Sequence, residues 1–570
     1  MEKFKAVLDT IAVKDEDGNT VSAWYNEDIR PIPPHRRTWN GWTYFSYQSG
    51  VGIIIVTWST GSSLLGLGLN AWQPIICVVL GYACVGILTM LGSEIGGKWH
   101  VGFPVASRFV WGMRGAFFPT LNRVVLNCVW WATESWLGMM CVRATIGSIW
   151  PSFYSIPNTF PDSVPMTLGE FVAWLIFVVL CVAGVLVRPE RFHWPSIITA
   201  AVNLVTALAL VGWFSHRAAG PGALFKDTTA LLSVEPATGS ELGWAFMHGL
   251  TTVIASQSTG ILGFADWGRY SKTPGAQRWP QGLGMALSDT LSGIMGIICS
   301  SCCATIYPDA GLVWNQALLL TQIQMHEAPA ARAAVFFASV PILMSQVLIT
   351  VSGSSIAGGV DMSGLLPKFI DIRRGGYIVL VIGIALQPWT LSNTNSKFLA
   401  VMGSYAIFLA PLTGILHCEY YLVRRRKISL RDLYTPSPDS SYWYYHGLSI
   451  RALISFCLGF FFFLPGYIHN ITPSISVSVA WSRLFYLCYP VGYFGSGLIH
   501  YVVSYFFPPK ELGKVDDFDY YGTFTPTETG PSGLILGVSS NSQEDIGTKP
   551  RETGQGEDKD IALPSHDKKV

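Results

Sequence analysis

Charge is scarce in this sequence. Only 13% of its 570 residues are Asp, Glu, Lys or Arg, about half the ~25% share of an ordinary soluble domain. So little charge over such a length argues against a large soluble core and for lipid surroundings. Acids and bases almost cancel, leaving a net charge of +1, so no nucleic-acid partner is indicated. The first 40 residues lack an apolar h-region and contain Asp15, Glu16 and Asp17. No secretory leader is read there, and the first spanning helix must act as the insertion signal. A Walker loop, a dinucleotide fingerprint and a zinc-protease helix are all missing. No nucleophile–base set or metal-ligand cluster replaces them, which argues against an enzyme, a resident metal or a bound cofactor. Active transport by such a chain would draw on an ion gradient, unless the protein is a passive facilitator.

A disulfide framework is lacking too. Most of the 11 cysteines lie in apolar runs, among them Cys77, Cys84, Cys128, Cys141, Cys181 and Cys457. Cys299, Cys302 and Cys303 cluster, but no second pair and no histidine accompany them, so they read as packing rather than zinc ligands.

What is present is apolar. Half of the residues are hydrophobic, and 21 Trp, 57 Gly and 33 Pro fit a membrane chain, where aromatics anchor at interfaces and Gly and Pro are tolerated in spans. A span needs about 20 mainly apolar residues. That rule places segments near 43–68, 71–95, 116–146, 167–187, 193–214, 242–263, 282–306, 332–356, 375–393, 396–422, 448–470 and 482–507. The loops test the count. Cytoplasmic loops are enriched in Lys and Arg. Cations sit before the first segment (Arg30, Arg36, Arg37) and after the second (Lys98, Arg108, Arg114). They recur after the fourth (Arg188, Arg191), sixth (Arg269, Lys272, Arg278), eighth (Lys368, Arg373, Arg374) and tenth (Arg424, Arg425, Arg426, Lys427). Stretches 147–166 and 307–331 have none, and only 215–241 departs, with Arg217 and Lys226. An even number of spans with both termini cytoplasmic follows. The chain thus divides into a cytoplasmic tail 1–42, a membrane domain 43–507 and a polar tail 508–570. That last tail is too poor in apolar residues to fold, and its lysines, Lys549 and Lys559 among them, are candidates for regulation by ubiquitin attachment.

Ser59-Thr60-Gly61 in the first segment and Ser258-Thr259-Gly260 in the sixth hint at a repeat. Carriers built from inverted repeats break the first helix of each half, and the freed backbone helps form the substrate site.

Polar and ionisable groups within the bilayer are functional candidates. In the third segment Trp130 and Glu134 are four apart and share a helix face. An indole can stack on a planar ring, and a carboxyl one turn away can accept ring N–H bonds, balance a cation or carry a proton. In the sixth segment Gln257 stands beside the expected break, and Asp266 follows, serving either coupling and gating or a local ion pair with Arg269. In the eighth, Ser345, Gln346, Thr350, Ser352, Ser354 and Ser355 run toward Asp361. Small residues allow close packing, and Ser354 is a further ligand candidate.

Several stretches resemble the nucleobase:cation symporter family 1, in its fungal uracil/allantoin-permease-like branch. They are Asn26-Glu-Asp-Ile-Arg-Pro, Arg37-Thr-Trp, Phe103-Pro-Val-Ala-Ser-Arg and Asp266-Trp-Gly-Arg-Tyr, then 361–376, Pro388-Trp389, Tyr420-Tyr421 and Asp519-Tyr-Tyr-Gly. The resemblance implies an all-α membrane protein of about twelve helices with the leucine-transporter-type fold, two inverted five-helix repeats plus two peripheral helices. It implies alternating access with substrate held between spans one, three, six and eight. It further implies proton-coupled uptake of a small heterocycle across the plasma membrane. Family members carry uracil, allantoin, uridine, purines, thiamine or nicotinamide riboside. By position, Trp130 matches the ring-stacking tryptophan, Asp266 the acid after the span-six break, and Ser354 lies near a substrate-contacting asparagine. Glu134 stands where many members have a glutamine. An acid there suits a cationic vitamin such as thiamine or a nicotinamide nucleoside, or a coupling proton with a neutral base as substrate. A non-transporting nutrient sensor on the same scaffold is the alternative from another class.

Overall fold

In the computed structural model the described residues are 12–14, 22, 24–226, 235–327, 329–525 and 528. Among them every regular element is helical. Lys549 and Lys559 lie outside the described residues.

Six helices are long and apolar enough to cross a membrane unaided: Trp72–Trp99, Pro189–Arg217, Arg278–Ile306, Arg332–Leu365, Asn395–Val423 and Ile450–Ile471. A seventh crossing is the bent pair Gly41–Gly52 and Ile55–Leu67, and Leu168–Gly184 is a shorter apolar helix. With Phe117–Ile149, Gly239–Ser256 plus Ser258–Gly263, Ile372–Ala385 and Cys488–Phe506, the order is consistent with twelve spans. Large apolar side chains such as Val179, Val205, Phe494 and Leu498 are exposed on the outside of the bundle, as lipid-facing residues must be.

Helix starts follow from local chemistry. Asn40 caps span one through its side chain to the Thr43 N–H at 2.9 Å. Thr167 and Glu170 form a reciprocal capping box at span four, which satisfies two otherwise orphaned N–H groups. Asp371 caps span nine, bonding the Arg374 N–H at 2.7 Å.

Spans one and six are both interrupted. Span one bends by 56° between Gly52 and Ile55, where Ile54 is extended at φ −133°, ψ 165°. The freed carbonyls find side chains. Thr57 Oγ1 donates to Gly52 O at 2.5 Å or Ile54 O at 3.0 Å, and the Asn203 amide donates to Ile53 O. The break therefore precedes Ser59-Thr60-Gly61, which sits inside the second half-helix. There Gly61 lets span one lie directly on the backbone of Gly293 in span seven. In span six the interruption is at Gln257 (φ −106°, ψ 3°), immediately before Ser258. The repeated tripeptide thus marks the break in one half and close helix packing in the other.

Span nine ends at Ala385, earlier than the apolar run to 393 suggests. Gln387 has φ +54° and Pro388 begins a separate turn. Proline lacks the N–H that would bond back into the preceding turn and disfavours a helical residue before it. Residues 508–525 are tied to the membrane body where Asp516 accepts from Arg431 N at 2.9 Å, and they fold on themselves where Asp519 accepts from Phe524 N at 2.8 Å. Composition undervalues such short-range carboxylate–backbone bonds.

Candidate substrate site

The two breaks face one internal cavity of about 110 Å³. By the ~10–15 Å³ needed per water, it has room for several waters or one small solute. Span three supplies one wall, with Asn127, Trp130 and Glu134; span six supplies Gln257, Thr259 and Gly260; span eight supplies Gly353 and Ser354. Span one contributes Tyr47, Gln48 and Ile54. The four residues singled out for substrate, Trp130, Glu134, Gln257 and Ser354, thus line the same space.

Local structure explains their aim. Helical spacing puts Trp130 and Glu134 on one face. Thr350–Ile356 forms a π-helical segment, a widening often found at functional positions. It turns Ser354 Oγ toward Glu134 Oε2, to which it donates at 2.8 Å. Gln346 Nε2 donates to the Glu134 main-chain carbonyl at 2.9 Å, tying span eight to span three beside the acid. No cation partners Glu134 among the described residues.

Asp266 lies one layer away and reaches the cavity through Arg123, which does line it. Arg123 Nη1 is 3.0 Å from Asp266 Oδ2 and 3.1 Å from Asp361 Oδ1. Asp266 Oδ1 also accepts the Phe103 N–H at 2.8 Å, and Asn127 Nδ2 donates to Asp361 Oδ2 at 3.0 Å. Arg269 does not take the Asp266 carboxylate; its Nε donates to the Asp266 main-chain carbonyl at 3.1 Å. One guanidinium therefore links spans three, six and eight through two carboxylates. No motif or neighbour in the sequence singles out Arg123, although an arginine inside the apolar run 116–146 is the kind of intramembrane charge that marks function. Gly263 belongs to the same arrangement, because a Cβ there would overlap the Arg123 guanidinium.

Toward the N-terminal segment the cavity ends on an aromatic stack. Tyr47 and Trp267 have ring centroids 4.7 Å apart, and Trp39 stacks on Trp267 at 5.6 Å. Tyr44 Oη locks span one onto span six by donating to Trp267 O at 3.0 Å or Gly268 O at 3.1 Å. Beyond the stack, Arg36 in the N-terminal segment pairs with Glu190 at 2.5 Å.

Residues 31–492 match the family model described as permease for cytosine/purines, uracil, thiamine, allantoin. The transporter aclS of Aspergillus oryzae is 32% identical, with 95% of this chain and 96% of that protein covered. The allantoin permease of Saccharomyces cerevisiae is 33% identical over 85% of this chain and 76% of its own length. Among solved structures, the inward-facing conformation of Mhp1 superposes with a TM-score of 0.65 at 17% identity, covering 90% of this chain and 99% of that one. This likeness carries the fold: a leucine-transporter-type bundle.

Proposed function

The chain belongs to the family of permeases for cytosine/purines, uracil, thiamine and allantoin, a family of membrane transporters and not of enzymes, and on that premise we propose that it takes up a nucleobase or related planar heterocycle by proton-coupled alternating access. The plasma membrane, with both termini cytoplasmic, is the proposed setting. One observation carries the reading. Trp130, Glu134, Gln257 and Ser354 converge on a single cavity between the broken spans one and six.

In this reading the Trp130 indole stacks on the heterocycle. Glu134, Gln257 and Ser354 meet its ring N–H and carbonyl groups. Substrate binding pulls the halves of spans one and six together, and release follows when the aromatic stack parts. Glu134 serves as ligand and as a proton-binding group. Asp266 acts in coupling or gating: with Asp361 it places two carboxylates against one guanidinium, an excess negative charge that a proton can cancel.

A second reading, a cationic vitamin such as thiamine or a nicotinamide nucleoside, is favoured by the same lack of a cation beside Glu134. Radiolabelled uptake in a yeast lacking its own carriers tests both. Uptake of a neutral base that rises on acidification, with Glu134→Gln retaining binding, supports the first. Saturable uptake of a cation abolished by Glu134→Gln supports the second. No flux of any of these compounds, or flux blind to pH, sinks the proposal of proton-coupled uptake. Binding without flux would indicate a nutrient sensor.

A further inference from the structure

Span seven (Arg278–Ile306) holds a carboxyl that the mechanism above does not use. Asp289 is fully buried and stands where the breaks of spans one and six meet. Its Oδ2 accepts from Gln257 Nε2, the residue at the span-six break, at 2.9 Å. Its Oδ1 lies 3.3 Å from Ser288 Oγ. Ser288 Oγ in turn is 3.4 Å from the Gln48 main-chain carbonyl in span one and 3.3 Å from Met285 O in its own helix. Gly52, the last residue before the span-one break, packs so closely that a Cβ there would overlap both the Ser288 hydroxyl and Asp289 Oδ1. Gln48 and Gln257 line the substrate cavity, so Asp289 is one side chain removed from it.

Among the described residues no cation offsets this carboxyl. Of the titratable groups on the surrounding helices, only the Tyr82 phenol of span two comes near enough to feel its charge. In span one, Tyr44 is committed to the Trp267 and Gly268 carbonyls, and Tyr47 stands in the cavity wall. In span six, His248 is stacked on Tyr486 and Glu241 pairs with Arg483. Span five carries His193, His216 and Arg217 only at its ends.

A carboxylate buried in the bundle with no cation beside it is strongly disfavoured, by several kcal/mol even after relaxation. The neutral acid fits the geometry completely. Its O–H donates to Ser288 Oγ, the Ser288 proton goes on to the Gln48 carbonyl, and Gln257 donates to the remaining oxygen. The ionised form would need the single Ser288 proton for itself and would release the bond to span one. Protonation of Asp289 and closure of spans one and six around span seven are therefore linked. We propose that Asp289 is a proton-binding site of the carrier, distinct from Glu134. It takes one proton from cavity water as the breaks close on span seven and returns it to water when they part. No bond other than the carboxyl O–H forms or breaks. The coupling role rests on the transport reading; the protonated state of the buried acid does not.

The full-length chain in vesicles, with isotope flux and external pH recorded together, tests the coupling. Asp289→Asn keeps the volume and an acceptor for Gln257 but cannot titrate. The expected result is unimpaired exchange of labelled for unlabelled substrate, with one proton lost from the proton-to-substrate ratio. An unchanged ratio overturns the proposal. Ser288→Ala, which removes the acceptor of the carboxyl proton together with the bond to Gln48, is expected to shift the pH midpoint of uptake; it serves where Asp289→Asn fails to reach the membrane, and an unmoved midpoint counts against the idea. Infrared difference spectra of purified wild type and Asp289→Asn need no substrate. A protonated-carboxyl C=O band present at neutral pH in the wild type alone is expected, and its absence overturns the proposal even if the transported solute has been misjudged.

Discussion

Arg123 lies between two aspartates, and the charge count decides what each substitution does. The guanidinium is 2% exposed, Asp266 4% and Asp361 0%. Arg123→Met strands two buried carboxylates without a cation. Removing one partner of a buried ion pair costs about 3–5 kcal/mol. At about 1.4 kcal/mol per tenfold, that is roughly a hundred- to several-thousandfold shift toward the unfolded state. Asp361→Asn also removes one charge, yet it leaves a one-to-one Arg123–Asp266 pair. The new amide keeps an oxygen for Arg123, and Asn127 can turn its own amide to match. The loss is then about that of one ordinary hydrogen bond, ~0.5–1.5 kcal/mol. The two variants are expected to differ by roughly 1.5–4.5 kcal/mol. Thermal melting of fluorescently tagged protein in detergent, read by size-exclusion chromatography, gives the order: wild type close to Asp361→Asn, with Arg123→Met far below. The reasoning fails if Arg123→Met melts with or above Asp361→Asn, because the guanidinium would then not be holding two ionised carboxylates.

Gly263→Ala should act on the same cluster from the other side. Its Cβ would overlap the Arg123 guanidinium, and overpacking of this kind costs about 1–3 kcal/mol, visible in the same melt and as slowed uptake. Trp130→Ala should raise the KM for uptake by about two- to twelvefold, the equivalent of ~0.5–1.5 kcal/mol of ring stacking, with Trp130→Phe in between; equal KM values in all three would remove the indole from the site. Outside the bundle core, Glu528 joins Arg37 at 2.8 Å and His100 at 3.2 Å. Burial alone would raise its carboxyl, but the bonds from His100, the Thr525 N–H and Arg37 hold it at about 2. A carboxyl depressed on folding stabilises fully above its ordinary value, and that contribution fades as pH falls toward the folded one. Proteolysis of the N-terminal segment should therefore stay slow down to about pH 4.5 and accelerate below it, whereas Glu528→Gln should be cut faster at neutral pH as well.

Much of the architecture is legible in the chain. Apolar run length and the alternation of cationic with bare loops report on how each segment meets lipid and water, and those are local properties. The spacing of Trp130 and Glu134 puts them on one face because helix geometry is local too. Gln257 could be placed beside a break, and Ser354 on a polar stretch, from their neighbours alone. The partners were not legible. Arg123 is four residues from Asn127 in sequence, but its carboxylates come from residues 266 and 361. Asp266 read most simply with Arg269, three residues on, and chose Arg123 instead.

Sequence alone determined that this chain is a polytopic helical membrane protein carrying an indole and a carboxyl one turn apart, because hydrophobicity and helical periodicity act over a few residues at a time. Only the tertiary structure decided where span one breaks, that four polar candidates share one cavity, and that no cation among the described residues stands beside Asp289. Those outcomes depend on which distant side chains satisfy freed carbonyls and buried charges, and chain order does not encode that distance.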